Sequence, residues 1–190
     1  MSPKLVLFIL SFALAYPLDQ LSKLWIVENL YYGETLVVIP GFFDLTQVRN
    51  PGGAFSVLAG ASSEWRLPFF LSAGALAIGL LFVFYRRLPA NARLSAVALG
   101  MILGGALGNL TDRVVYGEVI DWLDVHLGSY TWPTFNIADS SIVVGVAILI
   151  LEVFVYGEDY AGEGVGEQPD RADPDAGRDR VIADSEQPSA

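Results

Sequence analysis

The chain has 190 residues, 53% of them hydrophobic and 17% charged, with a mean hydropathy of +0.48; soluble domains carry about 25% charged residues, so the composition places it in a membrane. The net charge of −10 comes mostly from one end, where residues 158–190 hold ten acidic residues against three arginines, and no basic patch suits nucleic acid. There is no cysteine, which excludes disulfides, thiol catalysis and cysteine metal sites, and the single His126 cannot build a histidine metal site.

A helix needs about 20 mostly apolar residues to cross the hydrocarbon core. The first candidate runs from Leu5 to about Val27 and is clean as far as Leu18, after which Asp19 and Lys23 follow. Lys4, the apolar run and Ala13-Leu14-Ala15 also fit a secretory signal peptide with its cleavage site. Apolar character resumes at Leu24-Trp25-Ile26-Val27, which favours a retained helix. Asp19 and Lys23, four residues apart, share a helical face, and pairing lowers the cost of holding both at membrane depth.

Tyr31 to Phe55 does not read as helix. Thr35–Ile39 and Phe42–Val48 are rich in β-branched and aromatic residues and are broken by Pro40-Gly41 and Pro51-Gly52-Gly53. A small antiparallel sheet on the membrane surface is expected, either as a structural cap or in contact with substrate. The second span, Leu67–Tyr85, is uncharged, and Arg86, Arg87 and Arg93 crowd the link to the third, Leu94–Leu110. In that third span Gly100, Gly104 and Gly108, with Gly105 beside them, form a groove that lets another helix approach closely. The fourth span, Ser140–Tyr156, carries only Glu152, which is expected to snorkel or pair locally. Residues 158–190 have too little apolar surface to offset their ordering entropy and are expected to be disordered, leaving 1–157 as the membrane domain. In the cytoplasm such a tail would be repelled by anionic lipid.

Lysine and arginine set the orientation. Lys4 and the arginine-rich link face the cytoplasm by the positive-inside rule, so both termini are cytoplasmic and the segments 28–65 and 111–139 face outward. Asp121 and Asp139 then lie on the outer side, near the ends of the third and fourth spans. Ionisable groups at membrane depth are expensive and are functional candidates by default. Two that meet form an acid/base pair, because close carboxylates cannot both ionise easily. One would hold a proton and act as acid while the other stays charged and acts as base. This chemistry needs no metal, organic cofactor or covalent enzyme intermediate.

Other polar residues have structural readings beside functional ones. Asp112 and Arg113 are expected to pair and fix the end of the third helix. Asp124 reads as solvated or capping, and Asp139 also suits an N-cap of the fourth helix. Asn50-Pro51-Gly52 is an ordinary turn sequence, though the amides of Asn50 and Asn136 suit a substrate backbone. Intramembrane charges also mark transporters, which four spans without an internal repeat disfavour, and a non-catalytic scaffold leaves the carboxylates unexplained.

In order along the chain, Asp19-Gln20-Leu21-Ser22-Lys23, Arg49-Asn50-Pro51-Gly52-Gly53-Ala54-Phe55-Ser56, Gly104-Gly105-Ala106-Leu107-Gly108-Asn109-Leu110-Thr111-Asp112-Arg113, Gly117–Trp122 and Phe135-Asn136-Ile137-Ala138-Asp139 resemble the motifs of the lipoprotein signal peptidases (signal peptidase II). The resemblance covers about Leu14 to Tyr156, with Gly53 where alanine is common and Trp122 where phenylalanine is. It implies a four-helix membrane fold and an intramembrane aspartic endopeptidase of a bacterial inner membrane. The implied substrate is a prolipoprotein carrying a diacylglyceryl group on cysteine, cut just before that cysteine. The motif match implies Asp121 and Asp139 as the catalytic pair, supported by Asp19, Lys23, Asn50, Gly52, Asn109, Asp112, Arg113 and Asn136. Lipid-modified precursors and membrane lipid are the expected partners, with the chain acting as a monomer.

Overall fold

The computed structural model describes residues 1–52 and 63–162, with residues 63 and 156–162 described by backbone alone. Residues 53–56 of the second motif and 163–190 of the acidic tail lie outside the described residues. Four helices, α1 (Pro3–Asn29), α2 (Ser63–Arg87), α3 (Arg93–Tyr116) and α4 (Ile137–Gly162), alternate with strands β1 (Thr35–Ile39), β2 (Phe43–Asn50), β3 (Val119–Leu127) and β4 (Tyr130–Thr131). All four helices are long and apolar enough to cross a membrane. They extend past the apolar runs read from sequence, and in α1, α3 and α4 the added turns carry polar residues of the site. Met1–Phe154 form one compact unit.

The helices are hydrophobic on most sides, and much of what they bury is small or polar, with a few large apolar side chains. α1 buries Ala15, Asp19, Lys23 and Ile26, a single stripe at helical spacing. It runs unbroken through Ala13–Ala15. α3 is the central helix, burying among others Ala96, Leu99, Gly104, Gly108, Asp112 and Arg113. A methyl group at Gly100, Gly104 or Gly108 would run into Phe8, Ala15 or Asp19 of α1, and one at Gly105 into the Ala138 carbonyl of α4. The expected glycine groove is thus occupied on two sides.

The outer segments form one antiparallel sheet in the order β1-β2-β3-β4. β1 and β2 fall within the segment read as β-forming. β3 and β4 were not anticipated, although Val119, Asp121, Leu123 and Val125 alternate with residues of the opposite face. Along β2 and β3, Val48 faces Asp121 and Asn50 faces Val119, which makes Asn50 and Asp121 diagonal neighbours on one face. After β4 the chain doubles back, and Phe135 exchanges hydrogen bonds with Leu123 in both directions (3.1 and 2.8 Å). That return delivers the start of α4 beside Asp121.

Candidate active site

Asp121 comes from the third position of β3 and Asp139 from the first turn of α4. Both line a cavity of about 650 Å³ whose polar floor includes Asn50, Asn109 and Arg113, and whose walls include Val119, Phe135 and Val143. Asn136 joins the two carboxylates. Its Nδ2 donates to Asp121 Oδ1 at 2.7 Å, and its Oδ1 accepts from the Asp139 backbone N–H at 2.9 Å. That second bond makes Asn136 the N-cap of α4, so Asp139 sits three residues inside the helix and is not the cap expected from sequence.

Each catalytic candidate also receives an amide from elsewhere. Asn50 Nδ2 donates to Asp121 Oδ2 at 3.0 Å, and Asn109 Nδ2 donates to Asp139 Oδ1 at 2.8 Å. Burial pushes the Asp121 carboxyl up to about 6, and the charge of Asp139 adds to the rise, against the two amide hydrogen bonds and Lys23.

Beneath the pair lies a buried ionic cluster. Lys23 is 2% exposed, and its three N–H groups meet Asp19 Oδ2 at 2.9 Å, Asp112 Oδ2 at 2.7 Å and Asn109 Oδ1 at 3.0 Å. The ammonium is therefore fully satisfied. Because it occupies the Asn109 carbonyl, that side chain can only turn its N–H groups outward, toward Asp139. Asp19 completes the other end of the network: its Oδ1 accepts the Ala138 backbone N–H at 2.8 Å, capping α4 from α1. Gln20, which sequence reasoning did not single out, donates to Asp19 Oδ2 (3.0 Å), Asp112 Oδ1 (3.1 Å) and the Gly108 carbonyl (3.2 Å).

Asp112 and Arg113 do not pair as expected. Asp112 turns to Lys23 and to the Ile120 backbone N–H at 3.2 Å. Arg113 donates to the Asn109 carbonyl at 3.0 Å and to the Gly52 carbonyl at 2.7 Å. Neighbouring residues on a helix point about 100° apart, so charges at i and i+1 do not face one another. The Gly52 N–H in turn bonds Asn50 Oδ1 at 3.0 Å, which holds the Asn50 amide against Asp121.

Asp124 is likewise more than a solvated residue. His126 Nε2 lies 3.1 Å from Asp44 Oδ2 and 3.4 Å from Asp124 Oδ2, with Nδ1 3.2 Å from Thr131 Oγ1. These three form the one group of potential metal-binding side chains among the described residues, with ligand atoms all within 4.8 Å. Glu152, expected to snorkel or pair locally, is 9% exposed and accepts the Ser95 hydroxyl at 2.5 Å.

Residues 11–155 match the profile of the family described as signal peptidase (SPase) II. The chain is 42% identical over 153 residues to the lipoprotein signal peptidase of Syntrophus aciditrophicus, covering 80% of this chain and 95% of that one. It is 49% identical over 138 residues to that of Syntrophotalea carbinolica, covering 73% and 84%. Among solved structures, a bacterial membrane enzyme determined by the in meso method at 2.3 Å superposes with a TM-score of 0.72 at 33% identity, covering 80% of this chain and 90% of that one. A second, at 1.9 Å, gives 0.70 at 32% identity, covering 78% and 92%.

Proposed function

Because the chain belongs to the signal peptidase II family, we propose that Asp121 and Asp139 are the catalytic pair with which it works. It is a multi-pass membrane protein and an aspartic endopeptidase that removes signal peptides from prolipoproteins. The observation that carries the site assignment is the shared cavity: two carboxyl groups face one space, each held by an asparagine amide and bridged by Asn136.

In this reading the pair holds one proton. Asp121, pushed up to about 6, suits the carboxyl that keeps it. The charged partner takes a proton from water, the water attacks the scissile carbonyl, and the protonated carboxyl donates first to the oxygen and then to the leaving amine. Asn50, Asn109 and Asn136 orient the pair, while Lys23, Asp19 and Asp112 fix Asn109 and the start of α4. Arg113 and Gly52 fix Asn50.

The substrate is a precursor carrying diacylglyceryl on the cysteine that follows the cut. Val143 and Val144, 66% and 46% exposed on the cavity wall, give its acyl chains an apolar exit toward lipid. The site faces the outer side of a bacterial inner membrane, both termini are cytoplasmic, and the chain acts as a monomer with 1–157 as the peptidase domain.

A cleavage assay on a lipid-modified precursor with purified protein tests this. Asp121→Asn and Asp139→Asn keep size and one acceptor but cannot cycle a proton, so each should accumulate normally and lose nearly all turnover. The double variant should be hardly worse than either single one. Retention of more than about a tenth of wild-type turnover in either single variant would remove that residue from the pair.

A further inference from the structure

α2 is the one spanning helix from which no motif residue was drawn, yet it reaches the site. Phe70 and Gly74 stand four residues apart on one face of α2, as Leu110 and Arg113 stand three apart on α3. A methyl group on Gly74 would run into Leu110, so the helices are in close contact there. One turn away, the Arg113 guanidinium carbon lies 4.4 Å from the centroid of the Phe70 ring. Phe69, its neighbour, turns outward and is 53% exposed.

Arg113 is 9% exposed and makes no ion pair with a carboxylate among the described residues. Nη1 and Nη2 each donate in plane, to the carbonyls of Asn109 and Gly52. A guanidinium so buried needs compensation for its charge; Asp112, Asp121 and Asp139 act on it from a distance, and the face of the fork is open to direct contact. The negative face of an aromatic ring supplies it, with an attraction that grows when water is excluded. The ring also fixes the plane of the fork, and hence the direction in which Nη2 meets Gly52.

We propose that Phe70 is a positioning residue of the peptidase, holding Arg113 flat so that Gly52 and Asn50 present an amide to Asp121. The path is continuous: Phe70 ring to Arg113 at 4.4 Å, Arg113 Nη2 to Gly52 O at 2.7 Å, Gly52 N to Asn50 Oδ1 at 3.0 Å, and Asn50 Nδ2 to Asp121 Oδ2 at 3.0 Å. The proposal rests on the assignment of Asp121 to catalysis. It ties the second spanning helix to the dyad through a contact that depends on aromatic character and not on size.

The test compares Phe70→Leu, Phe70→Trp and Phe70→Tyr in the full-length protein, purified in detergent, on a lipid-modified precursor. Leucine keeps an apolar side chain and removes the π face, whereas tryptophan and tyrosine keep it. Phe70→Leu should lower kcat about tenfold with KM and the thermal unfolding midpoint little changed, and both aromatic variants should stay within about threefold of wild type. The Asn50 hydrogen bond favours the charged form of Asp121, so loosening it should also move the alkaline limb of the pH–rate profile to higher pH. In an Asn50→Ala background, Phe70→Leu should cost little more, because the two act in one chain.

Full activity in Phe70→Leu, equal loss in Phe70→Trp, or additive losses with Asn50→Ala would each overturn the proposal. If Phe70→Leu does not accumulate, Phe70→Met carries the same comparison. Failure of both to fold would make Phe70 a packing residue and also overturn it. A wild-type protein unable to cut the precursor would remove the peptidase reading and this proposal together, whereas cleavage by wild type with an indifferent Phe70 removes only the second.

Discussion

Asn50 and Asn109 place one amide each on the two carboxylates of the site, at 3.0 and 2.8 Å. For Asp121 the consequence is a dependence on pH. With burial pushing its carboxyl up to about 6, the proposed role of Asp121 as the protonated partner predicts that kcat/KM falls as pH rises above that value. Asn50→Ala deletes a donor that favours the carboxylate; it should therefore raise the Asp121 pKa and carry the limb to higher pH, as a pH–rate series on the purified protein would show. A limb that stayed in place would detach it from Asp121. Both residues were named through the resemblance to the family's motifs; by itself Asn50-Pro51-Gly52 reads as an ordinary turn. Sequence was insufficient for partner choice: Asp112 and Arg113 look paired when adjacent in writing, yet helical geometry sends one to Lys23 and the other to Gly52. Phe70 was illegible for a different reason. In an apolar helix an aromatic that faces a cation has the same letter as one that faces lipid, such as Phe69.

The elements hold the site through close helix contacts and through one strand pair. α3 meets α4 at Gly105, where an added methyl group would strike the Ala138 carbonyl. Gly105→Ala should therefore cost about 1–3 kcal/mol and reduce cleavage, because Asp139 follows Ala138 directly. Gly79→Ala on α2 meets nothing within 4 Å and should be neutral or stabilising by up to about 1 kcal/mol. Thermal unfolding of both variants in detergent separates them, and equal midpoints would contradict the packing argument. In the sheet, Asp44 of β2 stands directly opposite Asp124 of β3, with His126 between their carboxylates. Like charges directly opposite cost about 0.2–1 kcal/mol, so His126→Ala should lower the unfolding midpoint and Asp44→Asn added to it should restore part of the loss. No recovery in the double variant would show that the carboxylates do not repel. The β1–β2 hairpin was legible from its β-branched runs and Pro-Gly break. β3 was not, because Asp121 and Asp124 interrupt its apolar pattern, and their partners lie on β2 some seventy to eighty residues earlier in the chain.

For the whole molecule, four spanning helices follow from hydropathy alone, and the proposed orientation rests on Arg86, Arg87 and Arg93. Reporter fusions at Gly128 should signal the outer side and fusions at Ala90 the cytoplasm; an outer signal at Ala90 would reverse the orientation and move the site to the other face. Removing 163–190 should leave cleavage of a lipidated precursor nearly intact, since the motif residues all lie before Ser140. One bond described above reaches further than its length. The Ala138 N–H is held by Asp19, 119 residues earlier, so a ligature between the first and last spanning helices cannot form until at least 138 of the 190 residues have been made. During synthesis the protein thus passes through a long interval in which Lys23 and Asp112 can already meet but Asp139 has not arrived. On the proposed assignment of the pair, the growing chain lacks one of its two carboxylates while its own apolar segments are still exposed beside it. Under that assignment, activity waits for the start of the fourth helix to dock on the first.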